Sequence, residues 1–420
     1  NEDAVKCIGD GAVELYFNSS KKIETTDTGA VVTGICTATS FSGSGAGLTG
    51  LVTPLSFRNL IINGECLVAQ RGQVTGVTDG YGGPDRFKFM GNYSAVTMSQ
   101  STDVPSGQGF SKSLKLDVTT AGGDSNASTY TEIDYYLEGQ DLTRLKYGTS
   151  SAETTTLSFW IKSPKAGIHW VRLYGDELSH SGSGNAFISR KYTVSSANTW
   201  QKVTLSFPGY TSDGFDNDNT KGMRISWYFA QGSAYTSGTA QADNGGWLNW
   251  QSASDRARNT VGQVNCFDST SNDIYLTGVQ FEVGSVATPF EHRTYHDEFL
   301  KCCRYYQELT GNDHQHSGSS GTSGSFKNCV IGGYNGDGDV RVTYYHTVPM
   351  RVNPTMTTSA MSHFDLEPFD QEPASISLLR PGNTQSTLII VPTNQGSHRG
   401  FVCQLTLDNA SANITFDSEL

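Results

Sequence analysis

The stretch Leu157-Ser158-Phe159-Trp160-Ile161-Lys162 decides the fold class, because its apolar and polar side chains alternate with a period close to two. In an extended chain, this period places one set of side chains on each face of a sheet. Similar runs recur downstream, separated by Gly, Asn, Asp and Ser. They span residues 169–174, 201–207, 223–229 and 273–281. Many strands with long polar crossings predict a large jelly-roll β-sandwich over residues 57–298.

The composition of the whole chain favours the same fold class. Only 36% of the 420 residues are hydrophobic, while the chain contains 46 Gly, 19 Tyr and 20 Phe. Short strands joined by polar turns account for this profile better than helices do. We therefore predict an all-β protein of two or three domains, with helix confined to a turn near residues 139–142.

The first 56 residues form a series of short extended pieces. Residues 12–17, 21–26 and 30–39 are β-rich, and a Gly-rich run follows at 42–47. Such pieces are too short and too polar to enclose a core within one chain. Residues 1–56 are therefore predicted to form a short trimeric β shaft or collar, in which copies from several chains wrap together. A flexible linker is the alternative.

The last block, residues 299–420, is predicted to be a smaller C-terminal β-sandwich at the tip of the trimer. Its strand candidates include residues 340–345, 388–391 and 400–405, and residues 334–339 read as a hairpin turn. The spacing of apolar residues in the segment 298–309 fits a helix or a strand equally well. The Gly/Ser/Thr-rich run at 311–325 is predicted to be a loop.

Charge and hydropathy exclude two classes of partner. The formal net charge is −12, and no run of Lys or Arg supplies the cationic stripe that a nucleic-acid binder needs. No stretch approaches the roughly 20 apolar residues that span a bilayer. We therefore expect neither nucleic-acid binding nor membrane insertion. No signal peptide is recognisable, and since Asn1 is not Met, we expect that the start was removed or lies upstream.

The eight Cys residues are scattered and form no CxxC pair or compact disulfide spacing. We expect free and mostly buried thiols, which fits assembly in a reducing cytoplasm followed by release.

Recognisable catalytic motifs are missing from the sequence. It contains no GxSxG, HExxH or P-loop pattern and no Cys/His nucleophile signature. It also lacks the regular repeat period of a long parallel β-helix. We expect that the protein is not an enzyme, although 41 carboxylates leave a glycosidase pair open.

Carbohydrate binding is the more plausible chemistry, because sugars stack their C–H faces on aromatic rings and pair their hydroxyls with polar side chains. Three loops combine both kinds of residue. The candidate ligand-binding residues are Tyr210, Asp213, Tyr235, Trp247 and Trp250. Packing of Trp247 and Trp250 against their own sandwich is the alternative. The remaining Trp residues are expected in the core: Trp160, Trp170, Trp200 and Trp227.

Two groups of residues are candidates for metal binding, and no other cofactor is expected. Asp213, Asp216 and Asp218 lie within six consecutive residues, and their carboxylate oxygens could bind Ca²⁺. Polar turns without a metal are the alternative for this segment. His314 and His316 would share one face of an extended chain. Three copies around an axis would then offer six imidazoles to a transition metal. A solvated loop is the alternative for these two residues.

Two segments near the N-terminus, residues 15–26 (LYFNSSKKIETT) and 38–51 (ATSFSGSGAGLTGL), are similar to repeats in tail fibres of marine bacteriophages. The large domain resembles theirs at residues 59–64 (NLIING), 68–72 (VAQRG), 85–87 (DRF), 138–142 (EGQDL), 157–163 (LSFWIKS), 277–284 (TGVQFEVG), 287–293 (ATPFEHR) and 303–306 (CRYY). The tip domain does so at residues 348–355 (VPMRVNPT) and 417–420 (DSEL).

The resemblance implies a homotrimeric fibre of the virion whose large domain is a carbohydrate-binding-like jelly roll. The implied partners are further copies of the chain, other tail, baseplate or collar proteins, and a glycan of the host cell surface. The protein would be assembled in the host cytoplasm and located in the phage particle. A purely structural fibre or head or collar decoration protein, without a receptor site, is the first alternative, and a polysaccharide-degrading tailspike is the second.

Overall fold

A computed structural model shows the fold. It describes residues 3–37, 57–180, 184–310, 329–334, 339–367, 372–393, 402–407 and 413–420. Within these ranges strands dominate and helices are short, which confirms the predicted all-β fold. The chain separates into two compact units, Asn1–Pro54 and Leu55–Leu420. The domain boundaries at residues 56 and 298 stay predictions.

The N-terminal unit contains a four-stranded antiparallel meander. Its strands are β1 (Val5–Cys7), β2 (Val13–Phe17), β3 (Ser20–Thr26) and β4 (Gly29–Val32). Only Asn18 and Ser19 lie between β2 and β3, with φ of 48° and 59°. Positive φ at both loop residues is what a two-residue hairpin with the right-handed strand twist requires.

The larger unit begins with an antiparallel sandwich of two sheets. Its strands are β5 (Val74–Val77), β6 (Asp79–Tyr81), β7 (Lys88–Gly91), β8 (Ala95–Ser101), β9 (Ser113–Thr120), β10 (Tyr130–Glu138), β11 (Thr155–Lys162), β12 (Gly167–His180), β13 (Gly184–Val194), β14 (Trp200–Phe207), β15 (Lys221–Gln231), β16 (Leu248–Asn249) and β17 (Asp273–Val283). Short helices α1 (Gly139–Leu142), α2 (Ser233–Thr236) and α3 (Ala253–Arg256) interrupt them. A 3-10 turn, Thr143–Leu145, follows α1.

One sheet has seven strands in the order β16-β13-β12-β15-β10-β7-β6, and the other has six in the order β14-β11-β17-β9-β8-β5. The inner faces of both sheets share one large apolar core, in which Phe159 of β11 meets Trp227 of β15 edge to face. The five strands predicted from alternation correspond to β11, β12, β14, β15 and β17. Of the six Trp residues, Trp170 and Trp227 are fully buried, whereas Trp160 and Trp200 are half-buried.

The rest of the unit begins with α4 (Tyr295–Cys303), capped by Thr294, whose side chain accepts a hydrogen bond from the Asp297 amide. The remaining strands are β18 (Tyr306–Thr310), β19 (Cys329–Tyr334), β20 (Val340–Tyr345), β21 (Thr355–Thr358), β22 (Phe364–Glu367), β23 (Pro373–Arg380), β24 (Gln385–Pro392), β25 (Val402–Leu407) and β26 (Asn413–Asp417), with a 3-10 turn at Met361–His363. Residues 298–309 therefore contain both a helix and a strand.

A three-stranded sheet, β18-β26-β21, and a six-stranded sheet, β22-β25-β19-β20-β24-β23, enclose a second apolar core. The predicted hairpin turn lies between β19 and β20, with residues 335–338 outside the described ranges.

Among the described cysteines, Cys7 and Cys36 are exposed and free. The buried free thiols are Cys66, Cys266, Cys302 and Cys303. No helix in the described part of the chain is long and apolar enough to cross a membrane.

Candidate functional site

The outer face of the seven-stranded sheet carries an unusual set of buried polar side chains. In β10, Ile133, Tyr135 and Leu137 enter the core, so the alternating residues Glu132 and Asp134 must point to the opposite face. The same alternation in β12 and β15 turns Arg172 and Arg224 outward. Loops cover this face, and the exposed fractions of Glu132 and Arg172 are therefore only 5% and 3%.

Strand register arranges these outward side chains into rows across β10, β15 and β12. The rows read Tyr136, Arg224 and Tyr174; then Asp134, Ser226 and Arg172; then Glu132, Tyr228 and Trp170. Each row therefore places aromatic or hydroxyl side chains beside at least one charged side chain.

Asp134 is the centre of the polar network. Its carboxylate accepts hydrogen bonds from Ser226 Oγ at 2.6 Å and from Tyr136 OH at 3.2 Å, and Arg224 Nη1 donates to it at 3.4 Å. Arg172 Nη2 donates to Ser226 Oγ at 3.1 Å. Three donors thus hold the Asp134 carboxylate, which fixes the position of the Arg224 side chain above the sheet.

Glu132 lies at the edge of this network and is less well satisfied. Its Oε1 is 3.7 Å from Arg172 Nη2, beyond hydrogen-bond distance. Burial, and next the nearby Asp134 carboxylate, raise the pKa of Glu132 to about 7. Near neutral pH this group therefore exchanges between a hydrogen-bond donor and an anion.

An aromatic wall stands beside the network. The Cζ atom of Arg172 lies 4.5 Å from the centroid of the Trp250 ring, within the range of a cation–π contact. Tyr235 stacks on Trp250 with ring centroids 6.2 Å apart and an interplanar angle of 13°. Tyr174 and Phe187 meet the same indole edge to face, at 5.6 and 5.2 Å. The Trp250 ring is thus held in place by its neighbours.

Between this wall and the network lies a cavity of about 240 Å³. Its lining includes the rings of Tyr130, Tyr228, Tyr235 and Trp250 and the polar side chains of Glu132, Arg172, Arg224 and Gln231. Within the described part of the chain, both amide atoms of Gln231 and the Nε atoms of Arg172 and Arg224 have no hydrogen-bond partner. Gln231 has an exposed fraction of only 7%. Buried donors and acceptors without partners are costly, so they favour a polar ligand.

The structure separates the four aromatic ligand-binding candidates into two groups, and the fifth candidate, Asp213, lines neither the cavity nor the core. Trp250 and Tyr235 both line the cavity. Tyr210 instead belongs to the core and packs against Trp247, with ring centroids 5.3 Å apart. The indole Nε1 of Trp247 donates to the Pro208 carbonyl at 3.0 Å, and its ring packs on the core. For these two residues, packing within the sandwich is the interpretation that the contacts favour.

Among the acidic residues predicted to bind Ca²⁺, the carboxylates of Asp213 and Asp218 accept hydrogen bonds within the protein. Asp213 Oδ2 accepts a hydrogen bond from the Ser179 amide, and the Asp216 amide donates to Glu177. Hydrogen bonds from the amide and hydroxyl of Thr220 lower the pKa of Asp218. The described residues contain no group of three or more His, Cys, Asp or Glu side chains that could hold a metal ion. His314 and His316 lie outside the described residues, so the metal sites stay predictions.

Sequence reasoning did not single out the polar half of the cavity. Arg172 and Arg224 alternate with apolar residues in recognised strands, which is also how ordinary solvent-facing residues behave. The one available signal was β10, where Glu132, Asp134 and Tyr136 alternate with Ile133, Tyr135 and Leu137. Glu132 lies beside Tyr235 and Trp250, whereas Tyr136 is buried with Tyr305 and Leu420. Local sequence patterns do not reveal such contacts between distant segments.

A scan against protein-family models finds no match for this sequence, and a search of curated proteins finds none either. Solved structures similar to the chain include a putative sugar-binding protein from Bacteroides thetaiotaomicron, with 11% identity and a TM-score of 0.30 over 54% of this chain and 100% of that one. A family 11 carbohydrate-binding module from Clostridium thermocellum matches with 16% identity and a TM-score of 0.24, over 52% and 98% of the two chains.

The enzymatically active domain of tailspike protein 4 from bacteriophage CBA120 is also similar, with 14% identity and a TM-score of 0.27. That match covers 54% of this chain but only 21% of the tailspike chain. These likenesses are loose, and the sandwich is established by the strand registers described above.

Proposed function

We propose that the protein is a glycan-binding subunit of a bacteriophage fibre, which attaches the virion to host surface polysaccharide. The main support for glycan binding is the cavity, where aromatic rings lie opposite buried polar groups that have no hydrogen-bond partner in the described part of the chain. A sugar ring could stack on Trp250 or Tyr235, while its hydroxyls pair with Gln231, Glu132 and the two guanidinium groups. The volume of the cavity is below the usual range for sites that bind drug-sized ligands. It therefore favours binding of a single sugar unit of a longer chain.

We propose binding without cleavage. Glycoside hydrolysis generally uses two carboxyl groups that flank the bond. Among the described residues that line the cavity, Glu132 is the one that carries a carboxyl group. The neighbouring Asp134 is already held by Ser226, Tyr136 and Arg224. A single available carboxyl group supports recognition of a sugar better than it supports hydrolysis.

The fibre part of the proposal rests on the N-terminal meander and on the resemblance seen in the sequence. Register places Val5, Leu15, Ile23 and Val32 directly opposite one another across the four strands. Val5, Leu15 and Val32 are exposed to 57%, 38% and 40%. Side chains directly opposite one another share a face, so the meander presents an apolar stripe to its surroundings.

The opposite face of the meander is charged. Lys21 pairs with Glu14 and Glu24, and the Tyr16 hydroxyl donates to Glu14 at 2.6 Å. A single-layer sheet with one apolar face needs a covering layer to be stable. We propose that two further copies of the same meander supply it, giving a homotrimer whose repeated weak glycan sites bind with high avidity.

A glycan array probed with the full-length chain tests the proposed function. We expect binding to at least one bacterial surface polysaccharide, and loss of that binding in Tyr235→Ala. Tyr345→Ala serves as the matched control, because this exposed ring lies in the C-terminal sandwich. Absence of any bound glycan would favour the purely structural fibre. Release of reducing ends from a bound polysaccharide would instead favour the tailspike alternative.

A further inference from the structure

A second and larger cavity lies at the opposite end of β10. It has a volume of about 480 Å³ and lies between α1, the chain that enters the sandwich at Phe57, and helix α4. Glu132 and Glu138, near the two ends of the strand, are six residues apart, which corresponds to about 20 Å of extended chain. The two cavities are therefore separate sites on one sandwich.

Four basic side chains line this cavity, and two of them are already neutralised. Arg304 donates from Nε and Nη2 to the Glu138 carboxylate at 2.8 and 2.7 Å. Arg293 pairs with Glu291 at 3.3 Å and with Glu298 at 3.2 Å. These two guanidinium groups are thus used to hold the structure together.

The other two basic side chains, Arg144 and Lys301, form no ion pair with a carboxylate of the described residues, although Asp141 lies in the same cavity lining. Arg144 Nη1 donates a hydrogen bond to the Phe57 carbonyl oxygen at 2.9 Å. Lys301 Nζ lies 5.9 Å from the centroid of the Phe57 ring. Burial lowers the pKa of both groups, and the Arg293 guanidinium lowers that of Lys301 further. Lys301 is half-buried and Arg144 is exposed, and both lie close to Phe57 without forming an ion pair in the described part of the chain.

We propose that this cavity binds a small organic anion, whose carboxylate or phosphate group pairs with Arg144 and Lys301 while its apolar body lies against Phe57, Leu60 and Ile62. An anion at this position would give both cations a charge-assisted hydrogen-bond partner that the described residues do not supply. The cavity volume falls within the range of small-molecule sites. An acidic sugar and a phosphorylated metabolite share this chemistry.

Asp141 also lines the cavity and works against such a ligand. Burial, and next the Glu138 carboxylate, raise the pKa of Asp141. Any charge that remains on Asp141 repels an anion bound at Arg144 and Lys301. Removing this carboxylate should therefore strengthen anion binding, a result that damage to the fold could not produce.

Calorimetric titration of the full-length chain with inorganic phosphate and, separately, with glucuronate tests the proposal. We expect saturable binding of at least one anion, and the preferred one identifies the acidic group. Lys301→Ala and Arg144→Ala should each weaken it about tenfold or more, whereas Asp141→Asn should tighten it severalfold. Lys202→Ala, an exposed charge removal on β14, should leave the affinity unchanged.

Two outcomes would overturn the proposal. In the first, neither anion binds to the unmodified chain. In the second, Lys301→Ala and Asp141→Asn bind the anion with the same affinity as the unmodified chain. Glycan binding at the first cavity should be unaffected by all four substitutions. This readout also confirms that each variant is folded.

Discussion

The guanidinium group of Arg172 lies over the ring of Trp250, with 4.5 Å between Cζ and the ring centroid. Arg172 comes from the middle of β12, whereas Trp250 follows the two-residue strand β16. The contact therefore joins the polar network of the sheet to a loop residue. It holds a charged group and an aromatic ring side by side at the wall of the cavity.

Trp250→Ala should weaken glycan binding, because the substitution removes both the stacking surface and the partner of Arg172. Loss of one aromatic contact of about 1–1.5 kcal/mol corresponds to a roughly tenfold weaker affinity. Calorimetry with the glycan identified on the array measures the change. Trp250→Phe should retain part of the affinity, and Tyr345→Ala should retain all of it. An unchanged affinity in a folded Trp250→Ala variant would remove this cavity as the glycan site.

Glu132 should make the stability of the protein depend on pH. The pKa of Glu132 is about 7 in the folded chain, above its ordinary value of 4.5. The folded state therefore binds a proton that the unfolded state has released. The contribution of Glu132 to stability is fully present below pH 4.5 and is lost as the pH rises toward 7. The free energy of unfolding should fall over this interval, by at most a few kcal/mol.

Chemical denaturation between pH 4.5 and 8 measures this dependence in the unmodified chain and in Glu132→Gln. Because Asp85 and Asp176 also have raised pKa values, near 6, the difference between the two chains isolates the Glu132 contribution. The slope should be smaller in Glu132→Gln, while Glu153→Gln at a half-exposed site should behave as the unmodified chain. Equal slopes in all three chains would contradict the assignment.

Alternation of side chains made the main strands predictable, because a strand buried on one face repeats every two residues. Residues 157–162 and 273–281, for example, correspond to β11 and β17. The N-terminal pieces were likewise identified as strands, although β4 ends at Val32, well before the predicted limit at residue 39. Short-range periodicity is a property of the local sequence, so it needs no knowledge of the partner strands.

The candidate site was predictable only in its aromatic half. The loops around Tyr210 and Trp247 have the same composition as those around Tyr235 and Trp250, yet the first pair packs on the core and the second lines a cavity. Composition identifies residues that are able to stack on a sugar. Which of them face a cavity depends on contacts between distant segments, such as Trp250 with Arg172.

The last residues of the described chain hold the C-terminal sheets against the large sandwich. The carboxylate of Glu419 pairs with Arg86 and with Arg71, and Arg86 lies 3.4 Å over the centroid of the Tyr305 ring. Arg86 and Glu419 have exposed side-chain fractions of only 1% and 4%. Breaking a buried ion pair from one side leaves a charge without compensation, which costs about 3–5 kcal/mol.

Glu419→Gln should therefore lower the free energy of unfolding by roughly this amount, measured by urea denaturation at pH 7. The Arg71 side chain retains its ion pair with Asp417 at 3.0 Å, so the loss should arise mainly at Arg86. Glu372→Gln, at an exposed position, is the matched control and should change stability by less than about 0.5 kcal/mol. Equal stabilities of the two variants would show that the pair contributes nothing.

The apolar stripe of the meander predicts how the chain assembles. If Val5, Leu15, Ile23 and Val32 are covered by neighbouring copies, a charge placed among them must be buried without a partner. Leu15→Asp should therefore convert the trimer into monomers. Multi-angle light scattering should report the mass of three chains for the unmodified protein and of one chain for the variant.

Val31 provides the control, because it lies opposite Glu24 on the charged face and is exposed to 47%. Val31→Asp introduces the same charge into the same sheet but should leave the trimer intact. Dissociation by both substitutions would indicate general loss of the meander instead of a specific interface. A monomeric mass for the unmodified protein would refute homotypic packing and, with it, the argument that this meander begins a fibre.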